Sequence, residues 1–395
     1  MVIKRGRPRK AVAAGQNGGT DRFRALTETS DGTAMGELLR RFWQPVAISS
    51  DVGPGRAKLI RVLGEELVLY RGESGAPYIV GSQCAHRRTL LHSGWIEGET
   101  IRCMYHGWRY DNTGQCVEMP AEDPAYAAKI KIPGYTARDY CGVVFAYLGE
   151  GPAPEFDLPR KAELESANVS APSIQLWPCN WLQGVENSLD AVHVNFVHRT
   201  GRVGALGTAV TTALPTLEYR ETDAGLRQIA TRGKNNVRIS DWTFPNNNHI
   251  VAPNPVPGQP WIHTFIWMIP VDDHNMMRIM ILCASVAEDK VLALQQYLED
   301  HSRYDPAHHH DALLRDRAYP EEHVLELTAA QDYVAQVGQG PIADRENEHL
   351  GQSDLGVITL RKIFTREMNA LREGRPLKEW KRLMKSIEMP TQPGG

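Results

Sequence analysis

Two short segments of the chain each contain one cysteine and one histidine. One residue separates Cys84 from His86 in QCAHRR, and two residues separate Cys103 from His106 in RCMYHGW. Two thiolates and two imidazoles suit a tetrahedral structural Zn²⁺, or a [2Fe–2S] cluster in which the cysteines bind one iron and the histidines the other. A zinc finger normally places its cysteines together and its histidines together. Here each pair contributes one of each, which favours a cluster held between two similar loops.

A second group of potential ligands lies in ENSLDAVHVNFVH, where Asp190, His193 and His198 interrupt an apolar helical pattern. Non-haem Fe(II) oxygenases bind iron through two histidines and one carboxylate and leave positions open for dioxygen. At about 100° per residue, Asp190 and His193 share a helix face, but His198 lies about 140° from His193. Both histidines reach one metal only if the helix distorts or ends between them, so we expect an irregularity near residues 195–198. The alternative is a regular helix with two hydrogen-bonded histidines and no metal.

The composition is that of a globular protein with room for two domains. Of 395 residues, 42% are hydrophobic and 23% charged, and the net charge is −3. Neither a nucleic-acid nor a membrane partner is expected, because the charge is slightly negative and no apolar run approaches the roughly 20 residues of a membrane span. The basic start MVIKRGRPRK lacks the apolar core of a secretory signal, so we expect a cytoplasmic protein. In that reducing compartment, paired Cys/His spacings indicate metal rather than disulfides.

The hydrophobic pattern divides the chain into three parts. Residues 1–20 are predicted to be a disordered basic tail, although KRGRPRK also resembles an AT-hook that binds the minor groove of DNA. Residues 37–150 contain short strand-like pieces separated by glycine turns and predict an all-β unit carrying the Cys/His loops. GPAPEFDLPR at 151–160 is the predicted boundary. Residues 160–395 mix helical and strand patterns, so the fold class is α+β.

The segments CAHRR, CMYHGW and YDNTG together resemble the Rieske domain of bacterial non-haem iron ring-hydroxylating oxygenases. The usual motifs there are Cys-x-His-Arg-Gly and Cys-Pro-Tyr-His-Gly-Trp. This chain has Arg88 in place of the glycine and Met104 in place of the proline, and neither is a ligand position. The resemblance implies a [2Fe–2S] cluster with four ligands: Cys84, His86, Cys103 and His106.

The resemblance extends to a mononuclear Fe(II) site. The family shares the pattern Asp-x-x-His-x-x-x-x-His, which implies that His193 and His198 bind iron. Asp190 is then expected to hydrogen-bond His193 and to bridge towards a Rieske histidine of a neighbouring subunit.

The third iron ligand is expected to be a carboxylate further along the chain. Asp332, in AAQDYVAQVGQGPIADR, is favoured because its Gln-Asp-Tyr context resembles the phthalate dioxygenase branch. The competitors are Asp344 and Glu326.

For the whole chain, the resemblance implies an all-β Rieske domain followed by a catalytic domain with an antiparallel sheet flanked by helices, of the helix-grip type. The implied activity is that of a terminal oxygenase component, which uses O₂ to hydroxylate or O-demethylate an aromatic compound. The phthalate dioxygenase and O-demethylase branch favours aromatic acids such as phthalate or methoxylated biaryls. Ring cis-dihydroxylation and N-demethylation use the same iron site and remain alternative reactions.

Further partners follow from the same resemblance. The chain has no Gly-x-Gly-x-x-Gly after a strand and no plant-type ferredoxin cysteine run, so electrons must come from a separate NAD(P)H-dependent flavin and iron–sulfur reductase. A homotrimer, or a stack of two, is implied, since one subunit's cluster serves the next subunit's iron. A substrate carboxylate would need a cation, and the candidates are Arg199, Arg232 and Arg238. The alternative is that all three are surface arginines.

Two functions from other classes remain. One is a Rieske-type electron carrier without catalytic iron, which the second ligand group and the long C-terminal region oppose. The other is a zinc-stabilised DNA-binding protein with an AT-hook-like tail, which the mixed Cys/His pairs and the negative net charge oppose.

Overall fold

The computed structural model describes residues 18–198, 213–233, 236–252, 254, 259–302, 305–309, 324–383 and 387. Residues 1–17 of the predicted tail, including the AT-hook-like segment, lie outside the described residues. Arg199 also lies outside them. Residues 18–20, the end of the predicted tail, begin the first helix.

The N-terminal unit is built almost entirely of antiparallel strands. A six-stranded sheet has the order β1-β10-β9-β4-β3-β2, and a smaller sheet has the order β5-β6-β7-β8. The strands are β1 Gln44–Ile48, β2 Ala57–Val62, β3 Glu65–Arg71, β4 Pro77–Gly81, β5 Trp95–Glu97, β6 Thr100–Arg102, β7 Arg109–Tyr110, β8 Cys116–Glu118, β9 Gly134–Tyr140 and β10 Val143–Tyr147. Three helices accompany them: α1 Gly18–Thr27, α2 Ala34–Arg40 and α3 Pro124–Ala127.

The C-terminal unit contains a seven-stranded antiparallel sheet in the order β11-β17-β16-β15-β14-β13-β12. Its strands are β11 Val169–Trp177, β12 Thr216–Glu221, β13 Gly225–Arg232, β14 Asn236–Thr243, β15 Asn247–Ala252, β16 Ile262–Pro270 and β17 Met276–Ala284. The helices of this unit are α4 Ala162–Ser166, α5 Trp181–Ser188, α6 His193–Phe196, α7 Val291–Ser302, α8 Val324–Val337 and α9 Leu355–Arg372. The predicted α+β class, an all-β unit followed by an antiparallel sheet with helices, is confirmed.

Two strands with almost continuous apolar sequences are fully buried. β10, VVFAY, and β17, MMRIMILCA, are buried along their whole length, as expected for strands covered on both faces. One core runs through both units, and the rings of Phe145 on β10 and Trp267 on β16 lie 5.8 Å apart. A second, smaller core surrounds Cys84, Trp108 and Tyr110 beneath the predicted cluster loops.

The helical pattern of ENSLDAVHVNFVH, residues 186–198, does not form one continuous helix. α5 ends at Ser188 and α6 begins at His193, so Asp190 lies between two helices rather than on one face of a single helix. The Asp190 Oδ1 atom accepts hydrogen bonds from the backbone N–H groups of Val192 and His193, at 2.8 and 3.2 Å. Such side-chain bonds compete with helical backbone bonds. The irregularity predicted near residues 195–198 is confirmed, because α6 ends at Phe196, before His198.

No helix in the described part of the chain is long and apolar enough to cross a membrane.

Candidate metal centres

The two Cys/His loops have the same backbone turn. In each, the amide of the residue four positions after the cysteine donates to the cysteine carbonyl: Arg88 to Cys84 at 2.9 Å and Gly107 to Cys103 at 3.0 Å. Arg88 and Gly107 also share a left-handed conformation, with φ of 62° and 76°. One loop connects β4 to β5 and the other connects β6 to β7. The structure therefore presents the two cysteines at the starts of two similar turns.

The thiols and the imidazoles of these loops lie at different depths. Cys84 and Cys103 are buried, whereas His106 is exposed and His86 partly exposed. The two imidazole centroids are 4.4 Å apart, and His86 stacks on Trp108 at 4.7 Å. The buried Nδ1 atom of His86 has no hydrogen-bond partner among the described residues. Buried thiolates on one side and imidazoles at an open end fit the ligand set of a [2Fe–2S] cluster with two cysteines and two histidines.

Tyr110 lies beneath the cluster loops. Its hydroxyl is 3.2 Å from the Cys84 Sγ atom and accepts a hydrogen bond from the Ala85 amide at 3.0 Å. Burial raises the pKa of the Cys84 thiol, the Tyr110 hydroxyl partly offsets this, and the neighbouring Cys103 raises it further. Sequence reasoning missed Tyr110, although a buried tyrosine needs a partner for its hydroxyl.

His193, His198 and Asp332 meet in the C-terminal unit, and their ligand atoms all lie within 4.8 Å of one another. The Asp332 Oδ1 atom is 3.3 Å from His198 Nε2 and 3.7 Å from His193 Nε2. This Oδ1 atom is buried and has no hydrogen-bond partner in the described ranges. Burial raises the pKa of Asp332, but His198, His193 and Arg278 outweigh it and lower the pKa to about 2. Two imidazoles and an ionised carboxylate around one point fit an Fe(II) ion with open positions.

The far sides of both imidazoles face oxygen atoms. His198 Nδ1 lies 3.4 Å from Gln331 Oε1, and His193 Nδ1 lies 3.6 Å from Asp190 Oδ2. Burial raises the pKa of Asp190, but the His193 side chain and two backbone amides outweigh it and leave the pKa below its usual value. Oxygen partners commonly orient metal-binding histidines, and the Gln331 contact is within hydrogen-bond distance. The Asp190–His193 separation is longer, and the buried Nδ1 atom of His193 has no hydrogen-bond partner among the described residues. The hydrogen bond expected from Asp190 is therefore formed with the His193 backbone amide and not with its ring.

The competitors for the third ligand position lie elsewhere. Asp344 is exposed, and its carboxylate accepts hydrogen bonds from the Glu346 amide at 3.2 Å and from Asn347 Nδ2 at 2.7 Å. It therefore caps a surface turn. The side chain of Glu326 lies outside the described residues. Of the described candidates, the structure brings Asp332 to the histidines.

A cavity of about 290 Å³ opens beside these three residues. Its walls are mainly apolar, with lining residues that include Ile250, Trp261, Ile266, Met280 and Leu282. A mainly apolar pocket with a few polar groups is the usual form of a small-molecule site.

Two arginines line the cavity, and a third lies next to it. Burial lowers the pKa of Arg238 to about 10, and Arg232 adds to this effect. The buried Nε atom of Arg238 has no hydrogen-bond partner among the residues described. Arg232 is only 3% exposed and donates to the Ala191 carbonyl. The alternative that Arg232 is a surface arginine is therefore wrong. The second lining arginine, Arg278, is buried on β17 and was missed by sequence reasoning.

Comparison with known families matches both parts of the chain. Residues 42–136 match the Rieske [2Fe-2S] domain, and residues 146–381 match the family described as LigXa C-terminal domain like. The chain belongs to the Rieske non-haem iron oxygenases. It is therefore an oxidoreductase, the oxygenase component of a multicomponent system, with one [2Fe–2S] cluster and one mononuclear iron. The electron-carrier and zinc-stabilised DNA-binding alternatives are excluded.

Individual relatives place this Rieske oxygenase near two named enzymes. It is 33% identical over 382 residues to the 5,5'-dehydrodivanillate O-demethylase oxygenase subunit of Sphingobium sp., covering 93% of this chain and 85% of the relative. It is 30% identical over 370 residues to the phthalate 4,5-dioxygenase oxygenase subunit of Pseudomonas putida, covering 86% and 84%.

Solved structures share the fold of this Rieske oxygenase. The terminal oxygenase of carbazole 1,9a-dioxygenase from Nocardioides aromaticivorans has a TM-score of 0.65 at 18% identity, covering 89% of this chain and 98% of that one. A related carbazole 1,9a-dioxygenase oxygenase was solved in complex with its ferredoxin, with a TM-score of 0.60 at 21% identity and coverage of 86% and 90%.

Proposed function

We propose that this Rieske oxygenase hydroxylates or oxidatively O-demethylates an aromatic acid, such as phthalate or a methoxylated biaryl. One observation carries the proposal: the cluster of His193, His198 and Asp332 opens into an apolar cavity that also contains Arg238. An aromatic ring would pack on the apolar walls, and the guanidinium would receive the carboxylate.

Each metal has a proposed set of ligands. The ligands of the [2Fe–2S] cluster are Cys84, His86, Cys103 and His106, and those of the mononuclear iron are His193, His198 and Asp332. When bound, the cluster supplies electrons singly and the iron activates O₂. The protein's own contribution is to orient the ligands, hold the substrate beside them and exclude water with apolar walls.

Asp190 is proposed to position His193 and to bridge towards a Rieske histidine of a neighbouring subunit. Its side chain lines the cavity and keeps 30% of its surface exposed. Phe196, three residues after His193, is 61% exposed and would offer an apolar contact to a second chain. These features support the homotrimer, or stack of two trimers, in which one subunit's cluster serves the next subunit's iron.

The substrate class rests on the cavity and on the relatives. The names of the two relatives above refer to dehydrodivanillate and to phthalate, and both are aromatic dicarboxylic acids. A charge-assisted bond from an arginine to a carboxylate is one of the stronger contacts available in a buried site. Whether a ring edge or a methyl carbon lies beside the iron decides between ring hydroxylation, including cis-dihydroxylation, and O- or N-demethylation.

The remaining proposals concern location, partners and domain limits. The electron donor is proposed to be a separate NAD(P)H-dependent flavin and iron–sulfur reductase, and the location cytoplasmic. The Rieske domain is proposed to span residues 37–150, and the catalytic domain residues 160–395. The basic tail is proposed to cover residues 1–17 rather than 1–20, because residues 18–20 belong to α1. Neither nucleic acid nor membrane is proposed as a partner.

The experiment is a turnover assay with a surrogate reductase, NADH and O₂ on a panel of aromatic acids, each paired with its neutral methyl ester. Release of formaldehyde from a methoxylated acid indicates O-demethylation, whereas a diol product indicates dihydroxylation. The Asp332→Ala variant is the control for chemistry at the proposed iron. Preference for esters, or equal product from the Asp332→Ala variant, would contradict the proposal.

A further inference from the structure

A second group of potential metal ligands lies in the C-terminal unit. Glu163 on α4, His249 on β15 and His263 on β16 each offer a ligand atom, and these three atoms all lie within 4.8 Å of one another. His249 Nε2 and His263 Nδ1 are 3.0 Å apart. Nothing in the oxygenase reaction uses these residues.

This group is on the opposite face of the sheet from the iron cavity. Asn248 and Ile250 of β15 and Thr264 of β16 line the cavity. Because successive side chains of a strand point to opposite faces, His249 and His263 point away from it. The sheet therefore separates the two groups of ligands.

The imidazoles are held in a form that suits metal binding. His249 is buried, and its ring stacks on Phe265 with centroids 4.1 Å apart, which fixes its orientation. Burial, with a contribution from Lys161, lowers the pKa of His249 well below its usual value, and burial also lowers the pKa of His263. The neutral imidazole is the form that binds metals. His263 and Glu163 are partly exposed, which leaves an entry path.

The charges around the group are balanced before a cation enters. Two cations, Lys161 and Arg227, face His249. Arg227 forms a two-pronged ion pair with Asp241, with both bonds at 2.7 Å. Lys161 donates to the Thr243 hydroxyl at 2.8 Å. The carboxylates of Glu163 and Asp241 thus offset the two nearby cations.

We infer that Glu163, His249 and His263 form a site for a divalent transition-metal cation such as Zn²⁺. Two imidazole nitrogens and one carboxylate are a common three-ligand set for this ion, with water in the fourth position. The bound ion would join α4, which follows the link from the Rieske unit, to the adjacent strands β15 and β16. The site is structural and takes no part in oxygen chemistry.

The test counts zinc in full-length protein whose iron site has been disabled by His193→Ala. We compare three proteins. The first carries His193→Ala alone, the second carries His193→Ala with His263→Gln, and the third carries His193→Ala with Glu163→Gln. His274→Gln, at an exposed position of the turn between β16 and β17, is the matched control. Zinc is titrated calorimetrically and measured by mass spectrometry after desalting, and the visible spectrum of the Rieske cluster verifies folding.

The expected result is that His263→Gln removes one zinc equivalent from the background protein and Glu163→Gln weakens its binding at least tenfold, while His274→Gln changes neither. Equal zinc content in the background protein and in its His263→Gln derivative would overturn the inference. The comparison is a difference between variants, so it does not depend on whether His193 is an iron ligand.

Discussion

The Asp190 carboxylate contacts both the backbone and the side chain of His193. Its Oδ1 atom accepts the His193 amide at 3.2 Å, and its Oδ2 atom lies 3.6 Å from the imidazole Nδ1. The first contact lies at the start of α6. In the second, the carboxylate faces Nδ1 of the ring, whereas Asp332 faces Nε2. A single carboxylate thus binds the first backbone amide of α6 and places a negative charge beside a proposed iron ligand.

Asp190→Asn should therefore separate metal binding from turnover. The amide oxygen can still accept the backbone N–H groups, so the fold and both metals should be retained. The negative charge facing His193 is lost, and we expect turnover to fall by about 100-fold, the upper end of effects for such orienting groups. Iron and sulfide content is measured beside NADH-driven product formation. Undiminished turnover would refute the role of Asp190.

Arg238→Met should weaken the binding of aromatic acids. Loss of a charge-assisted hydrogen bond costs about 1.5–3 kcal/mol, which corresponds to roughly 10–100-fold in kcat/KM. Activity on the neutral methyl ester should change little, so the variant should lose the preference for the acid. Competition between acid and ester in one reaction measures this ratio directly. An unchanged ratio would exclude Arg238 from carboxylate recognition.

Arg88→Gly should stabilise the Rieske unit. Arg88 has φ of 62°, a conformation that costs a residue with a side chain about 1–2 kcal/mol and costs glycine almost nothing. We expect a gain of about 1 kcal/mol, seen as a higher temperature for loss of the cluster's visible absorbance. Arg87→Gly is the control, since the backbone there has no positive φ, and it should not stabilise. A lower transition temperature for Arg88→Gly would contradict the assignment of strain.

Glu186→Gln should destabilise the catalytic unit. The Glu186 carboxylate joins α5 to two buried arginines, accepting from Arg345 Nη2 at 2.8 Å and from Arg361 Nε at 2.6 Å. Removing one partner of a buried charge pair costs about 3–5 kcal/mol. Calorimetry should show a lower Tm than for Glu218→Gln, which breaks the exposed pair with Arg220 and should leave the Tm nearly unchanged because surface ion pairs contribute little. Similar Tm values for the two variants would contradict this prediction.

The fold was readable from sequence where local patterns were strong. The strands β16 and β17 appear in the sequence as long apolar runs separated by DDHN, and the glycine turns outline the strands of the N-terminal unit. The cluster motif could be recognised from the Cys/His spacing because all four residues lie on two short loops. Local chain geometry was sufficient in each of these cases.

Features that depend on distant contacts could not be read in the same way. The helical pattern across residues 180–198 hides the break at Asp190, because the side-chain bonds that end the helix compete with an otherwise favourable sequence. Arg238 could be named as a candidate, but its place in the cavity depends on the register of β14. Glu163, His249 and His263 lie on three separate elements, so no spacing in the sequence connects them.

The most direct test of the proposed iron site is the iron and acid-labile sulfide content of anaerobically purified protein, compared between the native chain and His198→Ala. We predict about three irons and two sulfides per native chain, and about two irons and two sulfides in the variant, with an unchanged Rieske spectrum. His274→Ala, at the exposed turn, should match the native chain. Three irons retained in His198→Ala would contradict the proposed iron site.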